Sequence, residues 1–561
     1  MPKPIHPALA AKLRSLATLA PLLFFASLPL LPQSAPARPT RAPYTGTAAV
    51  GPYRIAGTLV NAATGEPVRR ATVAVLTEAD SHTVQSVESD NDGRFALEHL
   101  PAAKYQLTAS KRGFLTAFFD EHEEFNSAIV TGPDQDTEHL TFRLMPGAVL
   151  RGVVSADGGD PVENARVMLF ERPRHHGPGD RITQSDAVNT DDTGAYEFAN
   201  LAAGEYLVAV TAQPWYALHG GAPSKQVSEN SAALDVAYPV TYYDSTTDES
   251  AAAPIVLAGG SREEANINLH AVPALHLTVA APRKPDGSIA RPELRQTIFG
   301  TQISAESAGF LDALQSGTTA FDGVAPGHYE LAQGDPPRIV DLDATASQQV
   351  DPAAGIPTFA VAGALRADNG SALPDELNLT LDLVEGSRTQ SQFVVTASKG
   401  RFKFDAVPPG SWSLGAEGDG KLLSVVSITA DRVAHSGSLF TVRNRPLSLA
   451  VTVSQGTTRV EGFALKGSKG FAGAMIVLAP RDAAAWQPLV RRDQSDSDGS
   501  FTLRDVAPGQ YIVVAIEDGW ALDSSRPETL APYLSGGIAV TVTGNSGNLV
   551  RLARPVAVEP R

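Results

Sequence analysis

The chain contains no cysteine among its 561 residues. That excludes a disulfide scaffold, a thiol nucleophile, thiolate zinc sites and a lipid-anchored N-terminal cysteine. Charged residues are scarce at 19% and aromatics at 7%, whereas there are 48 Gly and 41 Pro. Such a composition is rich in turns and strands rather than helices. Positive charge is also lacking: the net charge is −16, which argues against a nucleic-acid backbone or an anionic membrane surface as partner. Beyond the N-terminus no apolar run approaches the roughly 20 residues needed to span a bilayer.

The N-terminus has the makings of an export signal. Lys3, Lys12 and Arg14 form a basic region, Leu16 to Leu31 is apolar, and Ala35-Pro36-Ala37 is an Ala-x-Ala-type cleavage site. The expected division is a signal over 1–37 and a Pro/Ala/Thr-rich linker over 38–52, with an uncleaved N-terminal anchor as the alternative. The expected location is outside the cytoplasm: periplasmic, on the outer surface or secreted.

What is present, repeatedly, is one phrase. Phe95-x-Leu97-x-x-Leu100 runs to Tyr105, Tyr196-x-Phe198-x-x-Leu201 to Tyr206, Phe402-x-Phe404-x-x-Val407 to Trp412, and Phe501-x-Leu503-x-x-Val506 to Tyr511. A degraded copy joins Phe321 to Tyr329. A phrase recurring about every 100 residues marks a string of small domains. Around each copy, apolar residues alternate at period two, as in Tyr53-Arg-Ile55-Ala-Gly57-Thr-Leu59. Turns such as Asp90-Asn91-Asp92-Gly93 separate the runs. Short strands with turns every 8–12 residues predict an all-β fold, a tandem array of about five Greek-key β-sandwich domains. The expected boundaries are 53–146, 147–271, a divergent 272–356, 357–453 and 454–555. The repeated Tyr is expected to bury its ring and send its hydroxyl to backbone.

Together, Val-x-Gly-x-Val, Pro-Val-x-x-Ala-x-Val, Asp-x-x-Gly-x-Phe/Tyr and Leu/Val-x-Pro-Gly-x-Tyr resemble the carboxypeptidase regulatory-like domain. Repeats 1, 2 and 5 carry the pattern well, repeat 4 fairly and repeat 3 poorly. The resemblance implies transthyretin-like, seven-stranded sandwiches. It is also similar in fold to starch-binding sandwiches and to the repeats of adhesin stalks. It implies little about ligand.

Catalytic patterns are missing. No His is followed at +3 by Glu, and Asn126 stands where a His-Glu-x-x-His motif starting at His122 needs its second His. Gly415 to Gly420-Lys421 imitates a phosphate loop, but Leu422 replaces its Ser/Thr and a strand follows. His175-His176 are adjacent on an extended chain and face opposite ways. Asp120-Glu121-His122-Glu123-Glu124 is the densest acidic cluster and is expected to be a solvated loop.

Two weaker leads remain. The Asp-x-Asp-Gly turns, Asp90 with Asp92 and Asp496 with Asp498, begin as calcium loops do but lack the distal ligands. No cofactor is expected, with calcium at these turns as the alternative. Sugar-binding sandwiches lay exposed aromatic faces against pyranose rings, and Trp215, Tyr216, Tyr242, Tyr243, Trp486 and Trp520 are the candidates. The sequence thus predicts a non-catalytic interaction and spacer protein of the cell envelope or exterior, built of rigid beads whose linkers set its reach. Its expected partner is a protein or a glycan. Its rivals are a carbohydrate-binding protein and the accessory subunit of a secreted hydrolase.

Overall fold

Alternating sequence produces two-faced strands. In Lys104–Ser110 it buries Tyr105, Leu107 and Ala109 and turns Lys104, Gln106 and Thr108 the other way. The structure is a computed structural model. It describes residues 51–561 apart from 79–80, 174–181, 220–232, 281–290, 306–316, 335–336, 369, 386–391, 419–420, 455–457, 482–485, 525 and 544–548. The expected signal, most of the expected linker, the His175-His176 pair and Gly420 lie outside the described residues.

The fold is all-β sandwich. Among the described residues the strands form five groups in chain order, each with the same pairing scheme. In the first group Tyr53–Asn61 lies between antiparallel Arg94–Leu100 and parallel Leu140–Leu144. In the facing sheet Thr72–Thr77 lies between Thr83–Glu88 and Lys104–Ser110. The later first strands, Ala148–Ala156, Leu275–Ala280, Phe359–Ala367 and Thr458–Lys466, are flanked in the same way by at least one antiparallel and at least one parallel partner. The last group includes Val556–Pro560, past the expected boundary at 555, because this strand pairs with both Thr458–Lys466 and Gly509–Glu517. Each group encloses its own apolar core.

The recurring residues are explained by these cores. Gly57, Gly152 and Gly363 sit where a Cβ would collide with the carbonyls of Leu140, Ala265 and Leu449 on the parallel neighbour. At Gly462 it would collide with the Phe501 ring. The repeated Tyr is buried, and its hydroxyl donates to the carbonyl four residues upstream: Tyr105 to Pro101, Tyr206 to Ala202, Tyr329 to Ala325 and Tyr511 to Ala507. In the fourth group Trp412 does the same through Nε1 to Pro408. This bond pins the strand to the bend before it.

Two features depart from the sequence expectation. The fourth and fifth groups are each one connected sheet rather than two, and in the fifth Val556–Pro560 makes the connection. In the fourth, Gln392–Ser398 pairs with Arg401–Val407 at one edge, and at the other Lys421–Ala430, bulged between Val425 and Ser427, pairs at its start with Gly410–Gly418 and later with Leu447–Ser454, so both edges are joined. The fifth group also holds two short helices, Trp486–Leu489 and Pro527–Leu534. The second begins with Pro527 and Glu528, favourable residues for a first turn. Among the described residues no helix is long and apolar enough to cross a membrane.

Residues Ala49–Arg561 pack as a single unit, and repeats within it touch. Repeats 2 and 3 share an apolar cluster in which Phe299 meets Phe170 and Tyr242 edge-on. Ile356–Pro357 still pairs with repeat 3, and the chain enters the first strand of repeat 4 at Phe359. Arg491 of repeat 5 donates to Ser424 of repeat 4.

Candidate interaction site

In repeats 1 and 2 the first aspartate of the Asp turn serves its own loop. Asp90 Oδ1 accepts from the backbone amides of Asp92 and Arg94, and Asp191 Oδ1 from those of Thr193 and Ala195. In each turn a glycine with φ of 74° or 73° completes the bend. Repeat 5 divides these duties. Asp498 Oδ1 accepts from the Ser500 amide. That amide is four residues after Asp496, the counterpart of those that Asp90 and Asp191 hold, so Asp496 is released from it and its carboxylate reaches a different domain.

Asp496 grips repeat 1. Its Oδ2 meets Lys104 Nζ at 2.5 Å, and its Oδ1 accepts from the Ala128 amide at 2.9 Å. Next to it, the Ser497 amide donates to the Ala128 carbonyl, and Ser497 Oγ accepts from the Val130 amide. Repeat 5 therefore satisfies backbone groups flanking the short strand Ile129–Val130, as a neighbouring strand would.

The acidic cluster of repeat 1 lies at the same contact. Arg492 pairs with Glu123 and Glu124 and lies over the Phe125 ring. Gln494 donates to Ser127 Oγ, and Ser127 Oγ donates to the Ser495 carbonyl. His122 stacks on Trp520 with ring centroids 5.2 Å apart, and Phe125 stacks at 5.6 Å. Arg504 reaches Glu78. The Asp120–Glu124 segment is thus not a free solvated loop but one half of a clasp between the first and last repeats.

Burial shapes the electrostatics here. It pushes the Asp496 carboxyl above its usual range, while Lys104 and the Ala128 amide pull it part of the way back. Burial also pulls the Lys104 ammonium down, but Asp496 outweighs it and leaves Lys104 above its ordinary value. Beside them, burial pushes the Asp493 carboxyl up to about 7, against the bond from the Thr502 amide.

The other candidates are dispersed. Asp90 and Asp92 are exposed, the first occupied in its turn and the second paired with Arg94. Among the described residues no three His, Asp or Glu side chains converge as a metal site. Trp486 is buried, with Nε1 donating to the Ser524 carbonyl, and half-buried Trp520 donates to that of Gly473. Neither offers an open face. Tyr242 is buried in the cluster between repeats 2 and 3, where burial raises its phenol, and Tyr243 packs against the repeat 2 core. Trp215 alone is open, at 90% exposure, with Tyr216 edge-on at 5.8 Å. Tyr216 hydrogen-bonds Tyr238, whose phenol is pushed up to about 12, chiefly by burial.

Sequence reasoning missed a buried hydroxyl that precedes each Asp turn. Ser89, Thr190 and Ser495 each bridge a carbonyl and an amide on the chain entering the second strand. The signal was Ser or Thr directly before Asp in three repeats.

Fold and site together define a tandem β-sandwich protein whose last unit is fastened to its first. Residues 54–145 match the model of the carboxypeptidase regulatory-like domain, and the first repeat is a domain of that kind, regulatory rather than catalytic by description. A curated relative is Colossin-A of Dictyostelium discoideum, 23% identical over 407 residues, which cover 64% of this chain. The matched stretch is 3% of that protein's length. Among solved structures, a streptococcal ancillary pilin is similar at 10% identity over 71% of this chain and 98% of that one, with a TM-score of 0.15. Two B repeat units of the collagen binding protein of Staphylococcus aureus are similar at 9% identity over 72% and 99%, with a TM-score of 0.12.

Proposed function

We propose that this chain is a non-catalytic interaction module of the cell envelope or exterior, whose repeats hold binding surfaces at fixed separations. The clasp between repeats 1 and 5 carries this reading. The acidic cluster, the second Asp turn and Trp520, three features that a reactive or ligand site would have used, are occupied in joining two repeats. A spacer with its ends fastened presents a set geometry rather than a variable reach. Small-angle scattering on the purified chain tests it. The expected result is one maximum dimension across concentrations, increasing when Asp496→Lys places a cation against Lys104. Turnover on peptide or glycoside panels by the purified chain would overturn the non-catalytic reading, and an unchanged dimension in the variant would overturn the fixed geometry.

A second reading rests on Trp215. Its open ring beside Tyr216 suits the apolar face of a pyranose. Saturable binding to a glycan panel that is lost in Trp215→Ala, with the fold retained, would move the function to carbohydrate recognition. Tyr242, Trp486 and Trp520 would play no part in it.

A further inference from the structure

His276, on the first strand of repeat 3, lies between two carboxylates. Its Nδ1 is 2.7 Å from Asp322 Oδ1, and its Nε2 is 2.7 Å from Asp235 Oδ2. Asp235 Oδ1 in turn is 3.1 Å from His219 Nδ1. Asp322 sits on the antiparallel neighbour Thr318–Val324, at the bulge opposite His276. His219 and Asp235 belong to repeat 2. The Leu218 amide donates to the Leu234 carbonyl. The Ala274 amide at the entry of repeat 3 donates to the Asp235 carbonyl, and Val236–Ala237 pairs with Val272–Pro273.

Imidazole chemistry makes this arrangement conditional. A neutral ring has one N–H donor and one lone pair, so it can donate to only one of two carboxylates. The other nitrogen would then direct its lone pair at an anionic oxygen. Both contacts are favourable only when both nitrogens carry protons, and each is then a charge-assisted bond. The side chains of His276, Asp235 and Asp322 are 30%, 27% and 12% exposed, so water only partly screens them.

We propose that His219, Asp235, His276 and Asp322 form a proton-operated latch that fastens His219 and Asp235 of repeat 2 to the first strand of repeat 3. Among the described residues, the charged and titratable groups facing His276 are Asp322 from the antiparallel strand and Asp235 from repeat 2, with His219 behind Asp235. The parallel neighbour Gln348–Val350 brings only neutral side chains, and Ser347 Oγ accepts from the His276 amide. Burial lowers the His276 imidazolium, but the two carboxylates outweigh it and raise it above the ordinary histidine value. For Asp235 burial raises the carboxyl, and the two histidines outweigh it to hold it below its ordinary value. The latch is therefore closed below the raised His276 midpoint, opens as pH rises through it, and stays charged on the Asp235 side down to acid pH.

Hydrogen–deuterium exchange on the full chain between about pH 6 and about pH 9, corrected for intrinsic rates, tests this. The amides of Ala237 and Ala274 are expected to lose protection about tenfold across a single transition, the scale of one charge-assisted bond. His276→Gln, whose amide donates from one side only, is expected to show low protection at every pH. Flat wild-type protection, or a wild-type pH response retained in His276→Gln, would overturn the latch. Should His276→Gln not fold by circular dichroism, Asp322→Asn serves instead. The latch requires its transition to move to lower pH, and an unmoved transition rejects it.

Discussion

Lys104 and Asp496, separated by 392 residues in sequence, form an ion pair across the contact between the first and last repeats. The carboxylate is largely enclosed, and its second oxygen is already held by the Ala128 amide. Removing the lysine leaves a shielded anion without a counter-charge. Lys104→Ala is therefore expected to weaken the clasp by about 2–3 kcal/mol. Asp496→Asn is expected to cost less, since an amide oxygen still accepts from Ala128. Denaturant unfolding of both single variants and the double variant would check the coupling. Strict additivity would show that the pair does not hold the clasp.

Trp520 stacks against the His122 and Phe125 rings of repeat 1 while its own Nε1 is anchored within repeat 5. Its truncation removes stacking and apolar burial together. Trp520→Ala is expected to destabilise the chain by about 2 kcal/mol. Protease sensitivity is expected to increase first around residues 118–130. Limited proteolysis followed by mass spectrometry locates the first cut.

The Asp493 carboxyl, pushed up to about 7 by burial, gives the fifth repeat a pH dependence. Its folded value lies above its unfolded one, so the folded state binds the extra proton. That contribution to stability is complete below the unfolded value, declines as pH rises and is lost as pH passes through about 7. Asp493→Asn keeps an oxygen for the Thr502 amide and has nothing to ionise. Its melting temperature is expected to be flatter with pH than the wild type's and higher above neutrality. Parallel melting curves from acid to mildly alkaline buffer read this directly.

The anchor hydroxyls supply a local test. Tyr511→Phe leaves the buried Ala507 carbonyl without its donor while preserving the ring. A cost of about 1 kcal/mol is expected, visible as a lower unfolding midpoint with unchanged denaturant dependence. No change would mean that ring burial alone fixes the bend.

Much of the architecture was legible because it is written locally. Period-two alternation marks Thr72–Thr77 and Lys104–Ser110, and Asp-x-Asp-Gly marks the turn at Asp90 because left-handed bends are set by neighbouring residues. The anchoring role of Tyr105 and its counterparts follows from an amphipathic ring placed just after a bend. The clasp was not legible, since nothing near Asp496 states that Lys104 waits in another domain. One trace existed. The residue before the anchor aromatic is Lys104, Glu205, His328, Ser411 and Gln510 in turn, so only the first repeat offers a lysine there. Trp486 and Trp520 read as sugar platforms in the sequence because aromatic residues look alike there whether they face solvent, pack within their own repeat or meet another one. The helix Pro527–Leu534 was passed over because eight residues are too few for a helical period to stand out.

The fastening of the last repeat to the first also sets an order of events in the making of the molecule. At about 5–20 residues added per second, Lys104 precedes Asp496 by roughly 20–80 s of synthesis. Through that interval the amides of Ala128 and Val130 are finished edge groups with no partner, the condition in which strands pair with strangers. A chain halted after the fourth repeat would have every strand of its first four units and still expose that edge. The first repeat thus registers whether the fifth has been made.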